Sequence, residues 1–103
     1  MKIVAVTACI AGLAHTYMAK SSLEKAANKK GYEIKVETQG SMGVENRLEH
    51  EEIESADIVI FAVDTSVSDR DRFEGKKILE FSTQEAMRNG SGVIEQAEEI
   101  VRE

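Results

Sequence analysis

Two short apolar runs constrain the fold more than any other feature of this 103-residue sequence: residues 2–7 (KIVAVT) and residues 58–63 (IVIFAV). Both runs are rich in β-branched side chains, and neither alternates with charged residues. Strands of this kind are buried on both faces, as in a parallel sheet that carries helices on each side. The sequence therefore predicts two central strands of an α/β fold.

Helical and strand patterns alternate around these two strands. The predicted elements are a helix at 16–30, an alternating edge strand at 32–38, a short acidic helix at 49–55, a strand at 77–81, and helical residues from 82 onward with an interruption at 89–92. This alternation predicts a doubly wound, Rossmann-like α/β fold: a four-stranded parallel sheet in the order 2-1-3-4 with helices on both faces. The length fits a single domain spanning 1–103.

Charge, cysteine content and hydropathy exclude several classes of protein. A net charge of −6 disfavours a nucleic-acid partner, which needs a basic surface. One cysteine forms no internal disulfide and fits a reducing compartment. The apolar run before Cys9 is too short for an export signal, and no stretch approaches the ~18 apolar residues of a membrane span. We therefore expect a cytoplasmic chain with no direct membrane insertion.

The segment from Cys9 to Thr16 joins the first strand to the first helix, at the switch point where ligands bind in doubly wound sheets. Backbone N–H groups at a helix N-terminus bind phosphate and favour a thiolate, the nucleophilic form of cysteine. We predict Cys9 as the catalytic residue. The predicted phosphate-binding residues are Ile10, Ala11, Gly12, Leu13, Ala14, His15 and Thr16. Gly12 lets the backbone approach an anion, and Thr16 caps the helix or donates its hydroxyl to phosphate.

Each of these residues also has a purely structural interpretation. A small cysteine at a strand end is often a packing residue, and His15 could serve as a capping or packing histidine. His50, among glutamates, is interpreted as a solvated surface residue. One cysteine and two distant histidines do not form a metal-ligand pattern, so neither a metal nor another cofactor is predicted.

Spacing distinguishes three phosphate chemistries at Cys9. A cysteine phosphatase places an arginine six residues after its nucleophile, and here that residue is His15. The sequence also lacks the G-x4-G-K-[ST] loop of nucleoside triphosphatases. A phosphocysteine without an arginine clamp is suited to passing its phosphate on, which favours a carrier. The alternatives are a low-molecular-weight cysteine phosphatase and a regulatory binding domain in which phosphorylated Cys9 is the signal.

Several separated motifs resemble the fructose-type IIB domain of the bacterial phosphoenolpyruvate-dependent sugar phosphotransferase system. The matching segments are Cys9 with Gly12, Ala14, His15 and Thr16, then Val36 to Asn46, Asp57, and Asp64 with Arg72, Phe73, Gly75 and Lys76. The resemblance implies that Cys9 accepts phosphate from a phosphohistidine on a IIA partner. It implies delivery to fructose or a related hexose that enters through a membrane IIC partner, which would hold this monomeric cytoplasmic chain at the inner face of the membrane.

The chain departs from the family's usual Cys-Pro-Thr-Gly loop by having Ile10 and Ala11, which removes a rigid φ and one hydroxyl donor. Outside this loop, Gln39 follows the second strand and could contact phosphate or a partner, although a plain turn explains it equally well. Arg72 follows the third strand and could steer an anionic donor. The alternative for Arg72 is a solvated, charged loop.

Overall fold

A computed structural model of the chain describes residues 1–9, 13–40 and 43–102. Its strands are β1 (Lys2–Ala8), β2 (Glu33–Gly40), β3 (Gly43–Glu45), β4 (Ile58–Val63) and β5 (Ile78–Phe81). Its helices are α1 (Leu13–Lys29), α2 (His50–Ser55), α3 (Thr83–Arg88) and α4 (Gly90–Arg102), with a 3-10 turn at Arg70–Phe73. The α/β class and the alternation predicted from the sequence are confirmed.

The strands form one sheet in the order β3-β2-β1-β4-β5. The parallel part, β2-β1-β4-β5, has the predicted order. The predicted number of strands was one too few, because β3 pairs antiparallel to β2 and forms a hairpin with it. Its three residues are all exposed, so they carry no alternating apolar pattern that the sequence could reveal.

The two central strands are buried on both faces, as their apolar runs predicted. Ile3 and Ala5 of β1 pack under the helices α1, α3 and α4. Val4 and Val6 point to the opposite face, where α2 and the 3-10 turn cover them. Because β1 and β4 pair in parallel, their carboxyl ends lie at the same edge of the sheet.

Several element boundaries differ from the predicted ones. Helix α1 begins at Leu13 instead of residue 16. The predicted interruption at 89–92 is reduced to Asn89, because its Oδ1 accepts the Gly92 N–H at 3.1 Å and starts α4 at once. In the part of the chain that the structure describes, no helix is both long and apolar enough to cross a membrane.

Candidate active site

The end of β1 and the end of β4 bring two functional groups together. Cys9 is the first residue after β1, and Asp64 is the first residue after β4. Ala8 and Val63 are register partners, and the Asp64 N–H donates to the Ala8 carbonyl at 2.9 Å. Because neighbouring parallel strands end at one edge, the backbone itself places the Asp64 carboxylate beside the Cys9 thiol.

Helix α1 supplies the third group. His15 lies in its first turn, and the Cys9 Sγ, a His15 ring nitrogen and an Asp64 carboxylate oxygen all lie within 4.8 Å of one another. Cys9 is only 7% exposed, whereas His15 and Asp64 are open to solvent. A nucleophile, an imidazole and a carboxylate in one cluster are the groups that activate cysteine and serine nucleophiles.

The Asp64 carboxylate is held from the opposite side by the start of α3. Its Oδ2 accepts the Thr83 hydroxyl at 2.5 Å, and its Oδ1 accepts the Thr83 N–H at 3.1 Å. The Thr83 hydroxyl is the main reason that the pKa of Asp64 is lowered; partial burial opposes this, and the Thr83 N–H, the Cys9 thiol and His15 add smaller lowering effects. Asp64 therefore stays charged next to Cys9 at neutral pH.

The cluster also offers one sulfur, one nitrogen and one oxygen, which are atoms that Zn²⁺ accepts. The prediction of no metal site considered only the cysteine and the two histidines along the sequence. The fold brings Asp64 to Cys9 and His15 as a third candidate ligand. The absence of a metal site therefore stays a prediction made from sequence spacing alone.

The other predicted phosphate-binding residues differ in where the structure places them. Ile10, Ala11 and Gly12 lie outside the described residues, as does the side chain of Leu13. Ala14 is exposed in the first turn of α1. Thr16 does not cap the helix as predicted, because α1 has already begun three residues earlier.

Thr16 is instead a buried threonine within α1. Its hydroxyl is fully buried and finds no hydrogen-bond partner among the residues that the structure describes. The same holds for Thr7 and Thr38, which are register partners at the ends of β1 and β2. The alternative predicted role of Thr16, a hydroxyl donor to phosphate, stays a prediction.

Gln39 and Arg72, the two residues predicted as partner or phosphate contacts, are joined through Glu37. The Gln39 Nε2 donates to the Glu37 carboxylate at 2.7 Å. Its amide also clamps Ser68, accepting that residue's N–H at 2.9 Å and donating to its carbonyl at 3.2 Å. Gln39 thereby fixes the segment between β4 and β5 against the end of β2.

Arg72 completes this network with a bidentate ion pair. Its two terminal nitrogens each donate to a Glu37 carboxylate oxygen at 2.9 Å. Glu37 is completely buried and also accepts the Leu48 N–H at 2.9 Å. Burial alone would raise the pKa of Glu37, but the hydrogen bonds from Arg72, Gln39 and Leu48 outweigh it and lower the pKa below its ordinary value.

Sequence reasoning did not assign roles to Asp64, Thr83 or Glu37. Asp64 could have been found, because it directly follows a predicted central strand next to the strand that precedes Cys9. Glu37 was harder to find, because it sits on the polar side of an alternating strand and looks solvated. Thr83 joins the site only through the packing of α3.

Helix α1 and the β3 hairpin carry exposed apolar side chains. Among the described residues, the large hydrophobic side chains that are most exposed are Tyr17, Met18 and Val44, at 41%, 54% and 42%. Tyr17 and Met18 lie in α1 just after His15, and Val44 pairs in register with Gln39. The Tyr17 hydroxyl also donates to the Glu45 carboxylate, which links α1 to the β3 hairpin.

The family model described as "PTS system, Lactose/Cellobiose specific IIB subunit" matches residues 4–96. The PTS system fructose-like EIIB component 2 of Escherichia coli K12 is 47% identical over 97 residues, which cover 94% of this chain and 92% of that protein.

Solved structures agree with these matches. A crystallised domain of the fructose-specific IIABC component of Borrelia burgdorferi is 52% identical, with a TM-score of 0.89 over 93% of this chain and 91% of that one. The solution structure of the Enzyme IIB subunit of the PTS system of Escherichia coli K12 is 44% identical, with a TM-score of 0.92 over 98% of this chain and 94% of that one. The YwlE arginine phosphatase, at 14% identity and a TM-score of 0.52, shares the fold alone.

Proposed function

This chain belongs to the IIB family of the bacterial sugar phosphotransferase system, and we propose that it is a phosphoryl carrier whose acceptor is Cys9. Phosphate comes from a phosphohistidine on a IIA partner and goes to a sugar, fructose or a related hexose, that is moved by a membrane IIC partner. The observation that carries this proposal is the cluster of Cys9, His15 and Asp64 within 4.8 Å at the carboxyl end of the central strand.

In the first step, Cys9 attacks the phosphorus of the incoming phosphohistidine. The thiol proton passes to the His15 imidazole, the S–P bond forms, and the P–N bond breaks with its electron pair returning to the partner's imidazole. The charged Asp64 orients His15 and stabilises the imidazolium that results. Backbone amides at the start of α1 face the transferred oxygens, in keeping with the anion affinity of helix N-termini.

In the second step, a sugar hydroxyl oxygen attacks the phosphorus of phosphocysteine. The S–P bond breaks, its electron pair returns to Cys9 as a thiolate, and the hydroxyl proton leaves to a base at the sugar site. The protonated His15 then returns its proton to the thiolate. The Asp64 carboxylate repels the negatively charged phosphoryl group on Cys9. This repulsion destabilises phosphocysteine and so favours transfer of the phosphoryl group to the sugar.

Hydrolysis is the rival outcome that a cysteine phosphatase would give. The position six residues after Cys9, where a phosphatase carries its arginine, holds His15. Arg72 is committed to the buried Glu37 and contributes to shape instead of clamping phosphate. We propose that Gln39 and Arg72 act by holding the segment between β4 and β5 in place, instead of by the direct contact that the sequence suggested.

Partner binding is supported by the exposed side chains of Tyr17 and Met18, which follow His15 in α1, and of Val44 in the β3 hairpin. Exposed apolar side chains grouped around a site are typical of protein interfaces. We propose that the IIA partner docks there, and that the chain works as a monomer in the cytoplasm, reaching the inner face of the membrane through the IIC partner.

The decisive measurement is the intact mass of the chain after incubation with phosphoenolpyruvate, the general phosphotransfer proteins and a IIA domain. We expect the mass of one phosphoryl group, labile in the manner of a thiophosphate and absent from Cys9→Ser. His15→Gln should slow its appearance by about 10²-fold. His50→Gln is the matched control, because His50 is an exposed histidine that only pairs with Glu54, and it should leave the rate unchanged.

The competing functions predict different experimental results. An unmodified mass with active upstream proteins would refute the carrier. Steady release of inorganic phosphate from p-nitrophenyl phosphate, abolished in Cys9→Ser, would support a phosphatase. If cells lacking the protein still phosphorylate their sugar at the normal rate, phosphocysteine serves as a regulatory signal.

A further inference from the structure

Most basic residues of this acidic chain are paired among the described residues. The sequence has 13 lysines and arginines, and hydrogen bonds or ion pairs with described residues engage most of them. Within residues 1–9, 13–40 and 43–102, three cations have no such partner: Lys25, Lys29 and Arg88.

These three cations line one cavity. The cavity has a volume of about 620 Å³ and lies between α1 and the junction of α3 with α4. Its other polar lining side chains are the serines and asparagines Ser22, Asn28, Asn89 and Ser91. Among the described residues that line it there is no carboxylate, although the chain has 19 acidic residues.

The positions of the cations follow from helix geometry. Ser22, Lys25 and Lys29 are spaced by three and four residues, so they share one face of α1. Like charges one helical turn apart repel each other, and Arg88 at the end of α3 adds a third positive charge. Helix dipoles favour Lys29 and Arg88 individually, since each lies in the last turn of its helix. The dipoles do not explain why all three cations meet over one cavity that lacks carboxylates.

The backbone holds the opposite wall of the cavity close to α1. A Cβ on Gly90 would lie 2.4 Å from the Ser22 Oγ and 2.7 Å from the Ser22 carbonyl oxygen, so only glycine permits this approach. Gly90 and Ser91 begin α4, and amides at the start of a helix lack intrahelical acceptors. The cavity therefore combines three cations with hydroxyl, amide and backbone donors.

We propose that this cavity binds a small soluble anion that carries two or more phosphate groups, of the size of a bisphosphorylated sugar. Its volume lies in the range of small-molecule sites and exceeds what one inorganic phosphate fills. Lys25 follows His15 by ten residues on α1, a distance of about 15 Å along the helix. The site is thus separate from the Cys9 cluster, and an occupant there would not block Cys9.

The test is an NMR titration of the full ¹⁵N-labelled chain with fructose 1,6-bisphosphate and with pyrophosphate. We expect saturable amide shifts centred on Lys25, Lys29, Gly90 and Ser91. Lys25→Gln, Lys29→Gln and Arg88→Gln should each weaken binding about fivefold, and the triple variant should abolish it. Lys20→Gln is the matched control, because Lys20 lies on the same helix but pairs with Glu24, and it should bind as the unchanged chain does.

Further experiments distinguish binding at this cavity from the proposed carrier function and from binding to membranes. Cys9→Ser should bind fructose 1,6-bisphosphate as tightly as the unchanged chain, so failure of one proposal leaves the other intact. Uncharged fructose should cause no shifts at this cavity. The proposal is overturned by the absence of saturable shifts, by equal affinity in the triple variant, or by association with phosphatidylglycerol vesicles that neither soluble phosphate displaces.

Discussion

Replacing Arg72 with methionine tests the role of the buried network most directly. Methionine keeps much of the apolar length that covers Phe73, whose ring centroid lies 4.9 Å from the guanidinium carbon, but it removes the charge. Glu37, with no exposed surface, then lacks its cation. Removing one partner of a buried ion pair typically costs about 3–5 kcal/mol, because the remaining charge is uncompensated.

The expected loss lies at the lower end of that range. Glu37 keeps its hydrogen bonds from Gln39 and the Leu48 N–H, and the Arg72 side chain was already 16% exposed. We therefore expect a loss of about 3 kcal/mol in the free energy of unfolding at pH 7. With an unfolding entropy of ~2.1 cal/mol/K per residue over 103 residues, this loss lowers Tm by about 14 °C.

The pH dependence distinguishes charge burial from lost packing. In the unchanged chain the folded pKa of Glu37 lies below its ordinary value, so its stabilisation is present above the unfolded pKa of ~4.3 and is lost as pH falls through the folded pKa. In Arg72→Met, burial dominates and the folded pKa should rise above the ordinary value. That variant then gains relative stability on acidification, and the two unfolding free energies should converge between pH 7 and pH 4.

Urea unfolding followed by circular dichroism at both pH values measures these differences. Arg47→Met is the matched control, because Arg47 pairs with Asp69 at the surface and both side chains are about half exposed, at 51% and 55%. It should cost less than ~1 kcal/mol at either pH. A loss below ~1 kcal/mol for Arg72→Met at pH 7, or a larger loss that does not change with pH, would refute the buried-charge reasoning.

Three further predictions address the site and its supporting contacts. Asp64→Asn should slow phosphorylation of Cys9 by about 10- to 100-fold in quenched time courses, because the orienting charge beside His15 is lost. Gly90→Ala should lower the urea-derived free energy of unfolding by about 1–3 kcal/mol, because its Cβ would overlap Ser22. Zn²⁺ should slow the alkylation of Cys9 by iodoacetamide, and EDTA should restore it, because the cluster supplies three ligand atoms.

Each of these predictions has a matched control. Asp57→Asn makes the same change at the opposite end of β4, where Asp57 accepts the Lys2 N–H, and it should not alter phosphorylation kinetics. Ser91→Ala, at an exposed position one residue beyond Gly90, should stay within about 0.5 kcal/mol of the unchanged chain. His15→Gln should make alkylation insensitive to Zn²⁺. Equal slowing by both aspartate variants, a neutral Gly90→Ala, or zinc protection that survives His15→Gln would contradict the corresponding prediction.

The fold was predictable where burial alone decides local structure. The runs that became β1 and β4 are covered on both faces, so side-chain composition alone identified them as central strands. Strand β3 was missed because its exposed residues pair through backbone hydrogen bonds, which leave no trace in composition. The start of α1 was misplaced because Thr16 looks like a cap, whereas it is a buried residue three positions after the helix begins.

The site was predictable only where it follows from chain direction. Cys9 directly follows β1 and His15 lies in the first turn of α1, so their proximity follows from a strand that leads into a helix. Asp64 is 55 residues after Cys9 along the sequence, and only the pairing of β1 with β4 brings the two together. The Glu37–Arg72 pair is even harder to predict from the sequence, because an alternating strand shows which residues are polar but not which of them are buried.

The long-range contacts that the sequence does not reveal also determine how the proposed carrier positions its intermediate. Thr83 and the Ala8 carbonyl fix Asp64 through backbone and side chain, and they belong to the helix and strands that also form the core. Gln39, Glu37 and Arg72 fix the neighbouring segment in the same way. Because the Asp64 carboxylate is hydrogen-bonded to core elements, a phosphoryl group on the Cys9 of the proposed carrier would meet a negative charge held in place beside it. A rigid repulsive neighbour favours onward transfer, which is the property that distinguishes a carrier from a site built to retain phosphate.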